Sequence, residues 1–156
     1  MRAKDFLERI SKIDRMIANK TEEMERWRTL AESTTAPING DHVQSSSDQQ
    51  KMANAAIQCL TIEQELQAEI ERLKKARRDV IEVIEQLNEI QYDTMHKIYI
   101  LGLTFQETAD LQGKTRSGVS NMHRKAIKNV QAILDRSGYG KVRTEKRMVE
   151  SRRSIS

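Results

Sequence analysis

Apolar residues recur at alternating steps of three and four along the N-terminal half of the chain, and this spacing is typical of long amphipathic helices. One stripe, which a single lysine interrupts, consists of Phe6, Ile10, Ile13, Ile17, Lys20, Met24, Trp27 and Ala31. A second stripe, with charges at two positions, consists of Met52, Ala56, Cys59, Glu63, Leu66, Ile70, Leu73, Arg77, Val80, Ile84 and Leu87. The length of the second stripe predicts a helix of about 40 residues. The chain of 156 residues contains one proline and six glycines, and 32% of its residues are charged, a composition that favours helices. Together with the two stripes, it predicts an all-α protein.

The segment between the stripes, residues 33–48, contains the only proline together with a glycine and a run of serines. This composition predicts a mobile loop. Two amphipathic helices joined by a loop bury their stripes against each other, as an antiparallel coiled-coil-like hairpin, or against a second copy of the chain as a homo-oligomer. The periodicity leaves both arrangements open. We assign residues 1–78 to this helical hairpin.

The sequence also argues against several functional classes. The lone Cys59 cannot form an internal disulfide or a multi-cysteine metal site, and His42, His96 and His123 lack ligand spacing. No apolar stretch approaches the roughly 18 residues of a membrane span, and the N-terminus has no signal-peptide core. No glycine-rich phosphate loop or catalytic constellation is present. We therefore expect a cytoplasmic protein that is not an enzyme, with no catalytic residue, metal, cofactor or membrane contact.

The sign of the charge reverses within the C-terminal half. From Asp79 to Gly113 there are seven acids and one base, whereas from Lys114 to Leu134 there are five bases and no acid. Such an asymmetry is expected where one helix meets a polyanion. A solvated basic face is the alternative interpretation.

Two short helical patterns meet at this reversal. Thr104 and Glu107 have the Thr-x-x-Glu spacing of a capping box, which predicts the start of a helix. Gly113 tolerates the positive φ that ends a helix, and Thr115 is a suitable N-cap for a second helix over 116–134. Two helices separated by about three residues form a helix-turn-helix.

Helical spacing divides this motif into an inward and an outward face. The packing positions are Ala109, Gly113, Val119 and Met122. In the DNA major groove, Arg bonds guanine and Asn bonds adenine through paired hydrogen bonds, while Lys and hydroxyl groups hold phosphates. The sequence therefore predicts a recognition helix for double-stranded DNA. Its base-contact candidates are Arg116, Ser117, Ser120, Asn121 and Arg124, and the phosphate candidates are Thr104, Thr115, Lys125 and Lys128. Gly118 weakens the helix by roughly 1 kcal/mol relative to alanine, which is expected if its backbone approaches another group closely.

At these residues the sequence resembles region four of bacterial RNA polymerase sigma factors, over about Asp79 to Leu134. The run "VIEQLNEIQYDTMHKIYILGLTFQETADLQGKT" is similar to the family's first helices and its supporting helix, and "TRSGVSNMHRKAI" is similar to its recognition helix. The resemblance implies a sigma-like domain over 79–136 whose base-reading positions are Arg116, Ser117, Ser120 and Asn121. It also implies a surface for the flap of the polymerase β subunit, formed by Leu87, Tyr92, Met95 and Tyr99; packing of most of these side chains within the domain is the alternative.

The hairpin, the linker and the sigma-like module together resemble small phage and prophage proteins of Gram-positive bacteria, a family that includes regulators of late transcription. This implies a regulator of phage or prophage genes. Two alternatives stay open: a DNA-packaging subunit like the phage small terminase, and a coiled-coil adaptor that does not bind DNA. Residues 137–156 carry six bases and two acids with almost no apolar residues, and we expect a flexible basic tail.

Overall fold

The computed structural model describes residues 1–33 and 46–139, and within these ranges the chain forms helices and no strand. The α-helices are α1 (Ala3–Ser33), α2 (Ser46–Ile84), α3 (Glu89–Met95), α4 (Phe105–Gln112) and α5 (Arg116–Ser137), with a π-helical segment at His96–Ile100. The prediction of an all-α protein is confirmed. Part of the predicted loop at 33–48 is helical, because α1 reaches Ser33 and α2 begins at Ser46. The rest of that loop and nearly all of the predicted tail lie outside the described residues.

The contacts of the chain divide it into two compact units. One unit is Lys12–Lys74, and the other combines Met1–Ser11 with the described residues 75–139. The sequence predicts a boundary between residues 78 and 79 and places residues 1–11 in the hairpin. In the structure those first residues pack with the helix-turn-helix instead.

In the unit Lys12–Lys74, α1 and α2 form a hairpin. The ammonium of Lys20 lies 2.7 Å from a carboxylate oxygen of Glu65, and the Cys59 thiol lies 4.0 Å from the carbonyl oxygen of Met24. Because the residue number rises on α1 while it falls on α2, the two helices run antiparallel. Their apolar stripes therefore pack within one chain.

The stripe predicted for α2 is wrong by one position in several turns. The predicted core positions Ala56, Glu63 and Arg77 are exposed, and their preceding neighbours Ala55, Ile62 and Ala76 are buried. Both rows continue the steps of three and four through Leu66 and Val80, so periodicity alone does not choose between them. The observed row avoids burying Glu63 and Arg77, and a buried charge is costly unless it is paired.

The other unit has a core built from both ends of the sequence. Its fully buried side chains include Phe6, Leu7, Val80, Ile84, Met95, Val119 and Val130. Phe6 packs edge-on against Tyr139 with ring centroids 5.2 Å apart, and the Arg9 guanidinium lies 4.7 Å from the centroid of the Phe6 ring. The backbone N–H of Ala3 donates to the side-chain oxygen of Gln131 at 2.7 Å. The N-terminal turns of α1 are therefore part of this core.

Helix α3 begins at Glu89. Asn88 is its N-cap, because the Asn88 side-chain oxygen accepts a hydrogen bond of 2.9 Å from the backbone N–H of Gln91. The helix continues into the π-helical segment, and the turn that follows contains Gly102 at φ +72°. A positive φ is readily adopted only by glycine, which explains why the helical structure stops before Gly102.

Candidate nucleic-acid interface

The start and end of α4 follow the predicted capping signals. The Thr104 hydroxyl accepts a hydrogen bond of 3.1 Å from the Glu107 backbone N–H, and a Glu107 carboxylate oxygen accepts one of 2.9 Å from the Thr104 backbone N–H. Gly113 ends the helix in the left-handed region at φ +62° and ψ +35°. The Lys114 N–H then donates to the Ala109 carbonyl oxygen at 2.9 Å. These bonds fix the turn between the two helices.

Helix α5 begins at Arg116 as predicted, and it extends to Ser137 rather than ending near residue 134. The Thr115 hydroxyl caps it by accepting a hydrogen bond of 3.0 Å from the backbone N–H of Gly118. A β-carbon at Gly118 would lie 3.2 Å from the Thr115 hydroxyl oxygen, which is a tight contact. The close approach expected at Gly118 is therefore made by the cap of its own helix.

The inward face of the helix-turn-helix is closely packed. Ala109 on α4 and Val119 on α5 are fully buried, and Met122 is half-buried. Gly113, the fourth predicted packing position, is instead exposed at the turn, where a β-carbon would contact nothing within 4 Å. An alanine at position 109 allows the two helices to approach closely, because its side chain is a single methyl group. This packing fixes which side of α5 faces the solvent.

The predicted outward residues of α5 are mostly accessible. Arg116, Ser117, Asn121, Arg124, Lys125 and Lys128 are exposed. Ser120 is half-buried, so it presents less surface than the others. The phosphate candidates Thr104 and Thr115 are exposed, but their hydroxyl oxygens are already acceptors in the two helix caps.

The cations of this face differ from many other surface cations in having no protein partner. Lys20 pairs with Glu65 in the hairpin, and Arg72 pairs with Glu69. Within residues 1–33 and 46–139, no hydrogen-bond or ion-pair partner is found for the side chains of Arg116, Arg124, Lys125 and Lys128. The first turn of α5 also contains no acid. Four uncompensated positive charges on one helix favour an anionic partner.

A buried polar contact holds α5 against the rest of the unit. The Tyr99 hydroxyl lies 2.7 Å from Nε2 of His123, and the Phe105 ring centroid lies 5.0 Å from that of the imidazole. Burial raises the pKa of Tyr99 to about 12. Burial also lowers the pKa of His123, and the positive charge of Lys4 acts in the same direction. His123 is therefore a neutral packing group on α5, a role that the sequence analysis did not assign to it.

A second polar contact holds the end of α4 against α3. The Gln112 side-chain amide donates to a carboxylate oxygen of Asp93 at 2.8 Å and to the Thr94 hydroxyl at 3.1 Å. Hydrogen bonds from Lys97 and then from Gln112 lower the pKa of Asp93. Because Gln112 directly precedes the turn, this contact fixes the point from which α5 departs. The sequence does not predict this contact.

The surface predicted to meet the polymerase flap is smaller in the structure. Met95 is fully buried, so the prediction that it contributes to that surface is wrong. Tyr99 is half-buried and bonded to His123. Leu87 and Tyr92 are half-buried and keep accessible area.

In the part of the chain that the structure describes, neither a cluster of metal ligands nor a membrane-spanning helix is found. No group of three or more His, Cys, Asp or Glu residues there is placed to hold a metal ion. None of the described helices is long and apolar enough to cross a membrane.

Part of the chain is similar to a sigma factor. It is 36% identical over 53 residues to the RNA polymerase sigma factor SigO of Bacillus subtilis (strain 168). The match covers 34% of this chain and 30% of that protein, so the chain spans less than a third of the length of this relative. No family model matches the chain, and no solved structure matches it. The chain therefore contains a segment similar to part of an RNA polymerase sigma factor.

Proposed function

We propose that the protein is a sequence-specific DNA-binding regulator of transcription that places α5 in the major groove. The observation that carries the proposal is the exposed polar and basic face of α5, whose cations have no partner among the described residues. The similarity of part of the chain to a sigma factor supports a role in transcription. The two polar contacts behind the helix-turn-helix favour a face that is already ordered before DNA binds.

The roles of individual residues follow from their position and chemistry. Arg116, in the first turn of α5, is the leading candidate to bond a guanine through two hydrogen bonds, and Asn121 is the candidate to bond an adenine. Ser117 and Arg124 lie on the same exposed side and are further base-contact candidates. The proposal assigns Lys125 and Lys128 to phosphates, which position the protein on the duplex without reading its sequence.

Two finer points of the proposal depend mainly on the sequence resemblance. The regulated genes would be those of a phage or prophage. The protein would also contact the β flap of RNA polymerase, through Leu87 and Tyr92, which keep accessible area. The similarity to a sigma factor supports contact with the polymerase but does not identify its surface.

The test of DNA binding is a titration with a pool of randomised duplexes at two salt concentrations, followed by sequencing of the bound fraction. The variants are Arg116→Ala and Lys128→Ala. Arg26→Ala is the matched control, because Arg26 is an exposed cation in the hairpin unit with no partner in the described chain. We expect an enriched motif for the wild type. Arg116→Ala should weaken binding to that motif by about 1–3 kcal/mol and relax the base preference at one of its positions.

Lys128→Ala should weaken binding to all sequences alike and reduce the salt dependence by about 0.9 in the slope of log K against log salt. Arg26→Ala should behave as the wild type. If no motif is enriched and the variants do not differ, α5 is not a recognition helix. The hairpin would then become the leading candidate for the functional surface, as expected for an adaptor.

The polymerase contact needs a separate experiment, because it does not depend on base reading. We expect Leu87→Ala combined with Tyr92→Ala to reduce co-purification with RNA polymerase while DNA binding is retained. Leu111→Ala is the control, since Leu111 is 67% exposed on α4 and outside the predicted surface. Equal recovery of polymerase with both proteins would remove the flap contact from the proposal.

A further inference from the structure

The first turn of α1 lies directly against α5. The Ala3 backbone N–H donates to the Gln131 side-chain oxygen at 2.7 Å, and the Gln131 side-chain nitrogen donates to the Met1 carbonyl oxygen at 3.1 Å. Gln131 follows Lys128 by three residues and Arg124 by seven, so all three lie on one side of α5. The N-terminal turn of α1 therefore borders the basic side of α5.

Two cations lie here, Arg2 just before α1 and Lys4 in its first turn. The Arg2 side chain is exposed and has no hydrogen-bond or ion-pair partner in the described chain. The Lys4 side chain is 73% exposed and lies 3.8 Å from a carboxylate oxygen of Glu8. Ion pairs at the surface contribute about 0–1 kcal/mol, so a phosphate can compete for Lys4.

The positive charge of Lys4 acts on a residue of α5, His123. Lys4 contributes to the lowered pKa of His123, whose burial has the larger effect. Ala3, which directly precedes Lys4, is hydrogen-bonded to Gln131, which lies on the same side of α5 as Arg124 and Lys128. Three acids lie near these cations. Glu8 pairs with Lys4, Asp135 accepts a hydrogen bond from the neutral amide of Gln131 and keeps its negative charge, and Asp5 is exposed on the same turn.

We propose that Arg2 and Lys4 form a second set of phosphate contacts for a DNA duplex bound on α5. This inference rests on the proposed function, because it requires α5 to be the DNA-contacting helix. These contacts would lie beside Arg124 and Lys128. They would hold the DNA phosphate backbone next to the bases that α5 contacts. They would increase affinity for every sequence, because phosphate contacts carry no sequence information.

The test measures DNA affinity of the full chain between 50 and 200 mM salt for Arg2→Gln combined with Lys4→Gln. The matched control is Arg15→Gln combined with Arg26→Gln, two exposed cations further along α1 that have no partner in the described chain and give the same change in net charge. A lost phosphate contact reduces the salt slope by about 0.9, which corresponds to a loss of affinity about 3.5-fold larger at 50 mM than at 200 mM. We expect a reduction of up to about 1.8 for the variant with both N-terminal substitutions. The control should be close to the wild type.

The sequence preference provides the second measurement. We expect the motif enriched by the variant of Arg2 and Lys4 to be the same as that of the wild type, whereas Arg116→Ala should change it. If Arg116→Ala changes the motif but the N-terminal variant has the slope of its control, the N-terminal contacts are refuted and the role of α5 stands. If Arg116→Ala has no effect, both proposals fall.

Discussion

Truncation of Phe6 is the sharpest test of whether the first turns of α1 belong to the helix-turn-helix unit. Phe6 has no exposed surface, packs edge-on against Tyr139 and lies beneath the guanidinium of Arg9. Arg9 is in turn 3.6 Å from a carboxylate oxygen of Asp79 on α2. The change Phe6→Ala removes the ring at the centre of this arrangement.

The expected loss of stability follows from these contacts. Replacing a buried phenylalanine by alanine costs about 3–5 kcal/mol, because apolar contacts are lost and a cavity remains. The aromatic pair with Tyr139 adds about 0.5–1.5 kcal/mol and the cation above the ring about 0.5–1 kcal/mol. Since these contributions overlap, we expect about 4 kcal/mol in total. That is a large part of the 5–15 kcal/mol that typically stabilises a folded domain.

The assay is urea unfolding followed by far-ultraviolet circular dichroism. With an m-value of about 1.5 kcal/mol/M, the midpoint of the unit that contains α5 should fall by about 2.5 M. Trp27 is the only tryptophan and lies in the hairpin unit, so its fluorescence follows that unit separately. Met16→Ala is the matched control, since Met16 is on the same helix and 40% exposed. A loss below 1 kcal/mol for Phe6→Ala would refute the packing of residues 1–11 on the helix-turn-helix unit.

Three further predictions concern the helix-turn-helix itself. Gly113→Ala should lower stability by about 1–2 kcal/mol in urea unfolding, because φ is +62° there, and an unchanged midpoint would contradict the left-handed turn. Thr104→Ala should cost about 1 kcal/mol by removing the capping box, whereas Thr104→Ser should retain most of it. Burial lowers the pKa of His123 below its usual 6.5, so the unfolded chain binds the proton more readily than the folded chain. Stability should therefore be full above pH 6.5 and decrease as the pH falls toward the folded-state pKa, and His123→Gln should reduce this dependence.

The parts of the site that local chemistry determines could be predicted from the sequence. A capping box needs only two side chains three residues apart, so Thr104 and Glu107 reveal the start of α4. Gly113 and Thr115 reveal the turn for the same reason, because each acts on backbone groups within a few residues. The exposed face of α5 follows from these boundaries and from helical periodicity.

The register of α2 could not be predicted in this way. Apolar residues occur on two neighbouring rows of that helix, and both rows satisfy the same spacing. The choice of Ile62 over Glu63 depends on which row faces α1, which is a property of the packed hairpin. The cost of burying a charge would have been the better guide, since the predicted stripe contained two charged positions.

The contacts that join distant parts of the chain were also beyond the sequence. The bond between Tyr99 and His123 and the bonds from Gln112 to Asp93 and Thr94 depend on how the helices pack. The helical position of His123, four residues after the buried Val119, was the one available signal for its inward orientation.

The packing of the first eleven residues on α5 also sets an order of events during protein synthesis. Ala3 and Gln131 are separated by 128 positions, so the N-terminal turn leaves the ribosome long before its partner exists. At roughly 5–20 residues per second, the delay is about 6–25 s. During this time Phe6 and Leu7 have no core to enter, while both arms of the hairpin between them and α5 are already available to pair. The helix-turn-helix unit can therefore reach its final packing only after Gln131 has been synthesised.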